Sequence, residues 1–433
     1  MPKITFMGAG STVFAKNVLG DIILNPTLRG AEIALYDIDP VRLKDSEMML
    51  NNLNKKCNGK AKINTYLGVE NRKAALEGAQ FVVNAIQVGG YKPCTVTDFE
   101  IPKKYGLKQT IGDTLGIGGI FRALRTIPVL KDFADDINKV CPDALFLNYS
   151  NPMAILTGAL IKMGIKTIGL CHSVQSCVPG LLRPLEISEE NVKWKIAGIN
   201  HQAWLLEITR DGKDLYPEIK EKALKRPTPH NDMVRYEIMK QFGYYVTESS
   251  EHSSEYVPWF IKNTHPELIE RYNIPIDEYL RRCVNQIKGW ETMRDSLVNN
   301  EDIEHKLSHE YASYIIEAVE TDKPYRVHGN VLNTGLITNL PDDAIVEVPC
   351  LIDRNGVNPC YVGSLPQQLA AINRTNINVQ LLTLEAAFTN KKDYIYMAAM
   401  MDPHTASELT IDEIRSMCDE LIEAHGDWLP KFI

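Results

Sequence analysis
No apolar run in the 433-residue chain approaches the roughly 20 residues that a membrane-spanning helix needs, so no membrane partner is expected. The first residues lead straight into an apolar run, Ile4 to Met7, which leaves no room for a signal peptide. The nine cysteines are odd in number and include no CxxC pair, which argues against a disulfide framework and for a reducing cytoplasm. Positive charge is not in surplus. The formal net charge is −8, which argues against a nucleic-acid surface. Internal repeats, heptads and low-complexity tracts are also missing. What remains is the composition of a soluble globular protein, 44% hydrophobic and 24% charged, in a chain too long for one ordinary core. Two lobes are expected.

The chain is organised around Lys3 to Asp39. A short apolar run ends at Gly8-Ala9-Gly10-Ser11. A helical segment follows with Val13, Phe14, Val18, Ile22 and Ile23 on one face, and a second run, Ile33 to Tyr36, stops at Asp37. Strand, glycine turn, helix, strand and acid in that order form a dinucleotide site. Gly8 permits the turn, Gly10 lets backbone approach a pyrophosphate at the helix N-terminus, and Asp37 is placed to bond a ribose hydroxyl. Val13 stands where the third glycine of G-x-G-x-x-G would be. The expected nucleotide contacts here are Gly8, Gly10, Ser11, Val13, Phe14, Asp37 and Arg42. Further strands are read at Ala61–Leu67, Phe81–Ile86, Ala144–Tyr149 and Lys166–Leu170. Their C-terminal ends should converge on one crevice, adding Asn84 and Asn148 to the nucleotide contacts. The glycine-dense stretch Ile111 to Gly119 precedes a helix from about Ile120 to Val140. It reads equally as a ligand cover and as a flexible connection. Arg122 and Arg125 follow it, and Arg125 is a candidate for substrate contact.

Beyond about residue 190 the pattern changes to antiparallel strands, Val192–Ile199 and Trp204–Thr209, and then to helices at 231–243, 276–298 and 304–319. Strands are expected again at 325–340 and 344–352, and helices at 367–387 and 411–423. The fold expected is therefore α/β, a Rossmann-like N-terminal lobe (1–190, NAD-binding) with a mixed α+β C-terminal lobe (191–433). That is the architecture of lactate and malate dehydrogenases. The second lobe would carry substrate, metal and oligomer contacts, and its long apolar-faced helices suit a homodimer or homotetramer.

Cys171 ends one strand and His201 follows another, within Gly198-Ile199-Asn200-His201. Thiolate and imidazole suit a borderline divalent metal, although either residue alone is more often plain packing. Gly243 to Phe260 gathers tyrosines, glutamates, His252 and Trp259. It reads either as a site for sugar recognition and proton transfer or as a solvated loop.

Together with Gly118 to Pro128, Asn148 to Pro152 and Gly198 to His201, the Gly8–Ser11 turn and Tyr36–Asp39 resemble glycoside hydrolase family 4 along nearly the whole chain. Within that family Cys171-His172-Ser173-Val174-Gln175 looks like the α-galactosidase branch. The resemblance implies NAD+ and a divalent metal, expected to be Mn²⁺, held by Cys171 and His201. It also implies hydrolysis by an oxidation, elimination, addition and reduction sequence with no net redox change. Family pattern places the base at Tyr256, with Tyr245 in reserve. His172 stands where some α-acting relatives carry an Asp and is the candidate acid. Asn151, Glu251 and His252 are the other expected sugar contacts. A hydroxy-acid dehydrogenase, a hydrolase of another α-glycoside and a non-catalytic NAD sensor are the competing readings.

Overall fold
A computed structural model describes all 433 residues. The first half builds six parallel strands: β1 (Lys3–Met7), β2 (Glu32–Asp37), β3 (Lys62–Leu67), β4 (Phe81–Asn84), β5 (Leu145–Asn148) and β6 (Thr167–Gly169). They lie in the order β3-β2-β1-β4-β5-β6, the doubly wound arrangement of dinucleotide-binding folds. The four residues of β4, Phe-Val-Val-Asn, are all buried, because crossover helices cover both faces of a parallel sheet. Pro40 opens the helix Pro40–Lys56, and the Asp39 carboxylate accepts the Val41 and Arg42 N–H groups as its cap.

The second half supplies β7 (Val192–Ile199), β8 (Gln202–Arg210), β9 (Lys213–Asp214), β10 (Tyr245–Val246), β11 (Tyr325–Leu332), β12 (Ile345–Asp353) and β13 (Gly356–Pro359). These strands are antiparallel, and they extend the first sheet instead of forming another. The order continues from β6 through β11, β12, β7 and β8 to β10, giving one 13-stranded sheet. The joins are narrow: Asn330 pairs Gly169 between β11 and β6, and Glu347 pairs Gly198 between β12 and β7. A single row of paired residues therefore runs Met7, Asn84, Asn148, Gly169, Asn330, Glu347, Gly198. Asn84, Asn148, Asn330 and Glu347 in this row are fully buried polar residues, which marks the row as the floor of something other than a core. The late helix Gln367–Thr389 returns to pack on the first half, against Gly116–Val140 and Met153–Lys162. No helix is long and apolar enough to cross a membrane.

Two expected elements differ. The helix read from Glu304 begins only at Tyr311. Residues 304–310 are drawn out because the buried carboxylate of Asp21, 284 positions away, takes His305 Nε2 at 2.7 Å and the Ser308 N–H at 2.9 Å. The strand read through Leu340 stops at Leu332, where the buried amide of Asn333 donates to the carbonyls of Ile337, Leu340 and Pro341 and winds the chain into a compact loop. In the other direction, the helix read from Ile120 begins at Gly116, inside the glycine-dense stretch.

Candidate active site
The strand ends of the first half form a crevice in which the expected nucleotide contacts lie together. Gly8 has φ +86°, and a Cβ there would lie 2.9 Å from the Ala85 carbonyl. The Gly10 N–H donates to Asp37 Oδ2 at 2.6 Å, and a Cβ on Gly10 would strike the same carboxylate. The turn therefore needs both glycines for close approach rather than for flexibility. Val13 is exposed at the start of the helix Val13–Leu24, and the Phe14 ring meets Tyr149 edge-on at 5.0 Å. Arg42 sits beside Gly10, its backbone N–H held by Asp39. Asn84 and Asn148 lie side by side, Asn84 Nδ2 donating to Asn148 Oδ1 at 3.0 Å. The buried Ser11 Oγ and Asn84 Oδ1 have no protein partner, which fits a crevice that receives polar ligand groups.

Cys171 follows β6, and His201 occupies the two-residue turn between β7 and β8 with φ +63°. A left-handed histidine is strained and persists only where surrounding structure fixes it, here a hairpin paired on both sides. The structure adds a third group, Glu248. Ligand atoms of Cys171, His201 and Glu248 all lie within 4.8 Å of one another. His201 Nδ1 faces the Tyr256 hydroxyl at 3.1 Å, and its Nε2 lies 3.6 Å from Glu248 Oε2. Burial alone would raise the Cys171 thiol, but the neighbouring His201 imidazolium overrides it and brings the thiol to about 7. Burial likewise opposes charge on Glu248, and His252 and His201 pull its carboxyl down to about 2. A thiolate, an imidazole and an ionised carboxylate facing one another are the donor set of a divalent metal site. Beside them the fully buried Glu347 has neither carboxylate oxygen paired to protein. Burial first, and then the Cys171 thiolate, push its carboxyl well above the ordinary range.

Other expected residues fall into two groups. Tyr256 and His252 meet His201, His172 follows Cys171 in the chain, and Asn151 lies with Asp113. The Tyr256 side chain is buried, with its hydroxyl on His201. The His252 ring meets His201 at 4.9 Å, Asn151 Nδ2 donates to Asp113 Oδ2 at 3.2 Å, and the exposed His172 holds Glu310 Oε2 through Nε2 at 2.7 Å. Burial, and then Glu255 and Asp113, raise the Tyr256 hydroxyl well above its ordinary value, so its deprotonation depends on added positive charge nearby. Tyr245 and Arg125 are committed elsewhere. Tyr245, fully buried in β10, donates to Asp232 Oδ2 at 2.5 Å under the Arg235 guanidinium. Arg125 binds Asp98 through both terminal nitrogens and the Val88 carbonyl through Nε, with no exposed side-chain surface. Its position beside a glycine loop suggested substrate contact, and the buried Asp98 takes that role away. Glu251 pairs with Arg282 at 3.4 Å.

Reasoning from sequence passed over Glu248, Asp113 and Glu347. Glu248 and Asp113 lie inside stretches that were singled out, where nothing separates them from their neighbours. Glu347 left a visible signal, an acid flanked by valines inside the strand Ile345–Asp353.

Sequence models of known families match two stretches. Residues 3–187 match "Family 4 glycosyl hydrolase", and residues 196–405 match "Family 4 glycosyl hydrolase C-terminal domain". The chain is 62% identical over 434 residues, covering all of both proteins, to the α-galactosidase of Bacillus subtilis strain 168. Among solved structures, a 6-phospho-α-glucosidase from gut microorganisms in complex with NAD and Mn²⁺ superposes with a TM-score of 0.83 at 20% identity, covering all of both chains. The malate dehydrogenase of Plasmodium falciparum superposes with a TM-score of 0.54 at 15% identity over 91% of this chain and all of the other. At that identity the likeness extends to the fold, a dehydrogenase-like sheet, and not to the chemistry.

Proposed function
The chain belongs to family 4 of the glycosyl hydrolases, and from that premise we propose that it hydrolyses terminal α-galactosides with NAD+ and a divalent metal, Mn²⁺ by preference. The observation that carries the reading is the meeting of Cys171, His201 and Glu248 donor atoms within 4.8 Å. The glycine turn and Asp37 add support from the crevice at the parallel strand ends. The near-complete match to an α-galactosidase supports the glycone. Bound NAD+ would take and return a hydride at the sugar ring while the cation acts as a Lewis acid on the neighbouring hydroxyl oxygens, so the outcome is hydrolysis without net redox change.

The chain's own residues divide the remaining work. Cys171, His201 and Glu248 hold the cation, and their charges match it. Asp37 and the Gly10 backbone orient the nucleotide. Tyr256 stands against His201 and is our candidate base. A cation on His201 supplies the positive charge that its buried hydroxyl needs. His172, at the exposed edge, is our candidate acid for the departing group. Its partner Glu310 favours the protonated ring. Asn151 and Asp113 bring an amide and a carboxylate to the sugar hydroxyls. We divide the work between residues 1–190, which hold the nucleotide, and 191–433, which supply His201, Glu248 and Tyr256. A homodimer or homotetramer is part of the proposal. The helix Glu278–Val298 buries only Glu278, Cys283 and Val298 and carries Ile287 and Met293 outward. The reducing cytoplasm suits a thiol that must stay reduced to bind metal.

The test is hydrolysis of p-nitrophenyl α-galactoside with and without NAD+, Mn²⁺ and a reductant, beside the α-glucoside and a 6-phosphoglycoside. Turnover of the galactoside that needs both additions and accumulates no NADH is the expected result. Turnover of another glycoside alone keeps the mechanism and discards the sugar. NADH accumulating on a hydroxy acid, without glycoside cleavage, overturns the proposal in favour of a dehydrogenase.

A further inference from the structure
Glu255 closes the short helix Ser250–Glu255, is 4% exposed, and belongs to no part of the reaction assigned so far. Its carboxylate faces three consecutive backbone N–H groups of the glycine-dense stretch. Oε2 accepts from Thr110 at 2.7 Å, Oε1 accepts from Gly112 at 2.8 Å, and Ile111 is shared between them at 3.2 and 3.3 Å. The Thr110 hydroxyl returns the contact by donating to the Glu251 carbonyl at 2.6 Å. Three backbone N–H groups on a single buried acid are a strong local tether, and they oppose the burial that raises this carboxyl to about 7. The tethered stretch ends in Asp113 and Thr114. Asp113 accepts from Asn151 at 3.2 Å, and the Thr114 hydroxyl donates to Asp113 Oδ1 at 2.7 Å. On the other side, the residue after Glu255 is Tyr256, whose hydroxyl lies on His201. One carboxylate thus ties together two segments 143 to 145 positions apart in the sequence, one carrying Asp113 and the other Tyr256.

We propose that Glu255 is a positioning residue for the hydrolysis. Its carboxylate moors the Thr110–Gly112 backbone to the helix that precedes Tyr256, and so sets Asp113 against Asn151 and the substrate. This inference rests on the function proposed above, although the mooring itself can be tested apart from it. The stretch is tightly seated from the other side as well. Gly112 has φ +55°, and a Cβ there would come within 3.0 Å of Gln109 Oε1 and 3.1 Å of the Phe99 ring. Gly112→Ala therefore disturbs the loop and its bond to Glu255 Oε1 while leaving the Glu255 side chain itself unchanged.

The experiment compares wild type, Glu255→Gln, Gly112→Ala and the double variant, each loaded with NAD+ and Mn²⁺. Glu255→Gln keeps the size of the side chain but turns a donor amide toward backbone donors. Hydrogen–deuterium exchange should accelerate at Thr110 to Gly112 and stay unchanged over residues 120–140. In the same variant kcat on p-nitrophenyl α-galactoside should fall about 10- to 100-fold, the scale of a misplacement of about 1 Å, while KM and Mn²⁺ affinity stay within about threefold. Gly112→Ala should give the same pattern, and the double variant should lose little more than either single one, because both act on one tether. A purely structural Glu255 would change KM, metal affinity and thermal stability together with kcat, and that result overturns the inference. Unchanged exchange in Glu255→Gln overturns the mooring, and faster exchange with unchanged kcat overturns its role in the reaction. A wild type without glycoside turnover sinks the hydrolase reading and the catalytic half of this inference with it. The exchange arm still decides the mooring.

Discussion
At the scale of single residues, the metal cluster joins a signal that sequence carries with one that it does not. Cys171 and His201 stand out in the sequence because each follows an apolar strand, and the family resemblance is what pairs them as the proposed metal ligands. Glu248 does not stand out, because it sits among Glu251 and Glu255 in a polar stretch where no local pattern separates the acid proposed to face metal from the one proposed to moor the loop. Its role follows from the fold, which brings it to 3.6 Å from His201. Glu248→Gln removes an ionised donor and leaves the size of the side chain unchanged. Mn²⁺ affinity should fall on the order of 10- to 100-fold, read by titration with metal, with NAD+ affinity unaffected. Asp37 makes the complementary case. Its carboxylate accepts from Gly10 and faces the crevice, so Asp37→Ala loses both the turn contact and the ribose partner. Hydrogen bonds to a charged group contribute about 1.5–3 kcal/mol. NAD+ affinity should therefore drop roughly 10- to 100-fold while Mn²⁺ affinity holds, as direct binding of each would reveal. If either variant weakened both ligands equally, the two sites would not be the separate units drawn here. Arg125 teaches the opposite lesson. Arginine beside a glycine loop is a fair guess for substrate contact, and only the burial of Asp98 under it turns it into scaffold.

At the scale of elements, the first half was readable nearly strand by strand. Parallel strands covered on both faces are continuous apolar runs, and each here ends at a turn or a polar residue. The failures came where a distant partner competes with local periodicity. Residues 304–310 carry a helical pattern, yet Asp21 captures His305 and Ser308, and no window of sequence contains that partner. The strand β11 offers a test of how such burial acts on stability. His328 is buried within it, its ring tilted against Trp194 at 5.3 Å with Nε2 unpaired. Burial, and then the charge of Arg326, lower its pKa to about 4. The unfolded chain takes up this proton near the ordinary value of about 6.5. Between pH 6.5 and 4 the unfolded state therefore binds more protons, and stability falls as pH falls. Above pH 6.5 the group has no effect on the pH dependence. His328→Gln should remove on the order of 2 kcal/mol of the stability lost between pH 7 and pH 4.5, measured by urea unfolding at a series of pH values. Parallel pH profiles for variant and wild type would show that His328 titrates normally and is not sealed in the sheet.

At the scale of the whole molecule, the sequence suggests two lobes meeting near residue 190, while the structure threads one sheet through both. The joining bridges are single residue pairs, which by themselves would be weak. The apolar core is not weak at that junction. A cluster of 52 buried residues draws on Ile4, Ile33 and Leu147 from the first half and on Trp204, Val348 and Ile377 from the second. The helix Gln367–Thr389 then clamps back onto the first half. Neither half can expose its share of that core without exposing the other's, so loss of one should cost the other its fold. We expect the protein without its cofactors to unfold in a single transition, with circular dichroism and tryptophan fluorescence coincident, even though chains of this size commonly unfold in stages. The nucleotide provides the sharper form of the test, because every contact proposed for it lies in residues 1–190. At about one hundred times its dissociation constant, NAD+ adds roughly 2.7 kcal/mol to whatever unit binds it. In one cooperative molecule the whole transition moves up together, including the fluorescence of the five tryptophans, all of which lie in the far half. In a molecule of two independent units the NAD-binding half alone would move, and the tryptophan fluorescence would report an unchanged midpoint. The second result would leave the continuous sheet as geometry without energetic consequence, and would restore the two lobes that the sequence suggests.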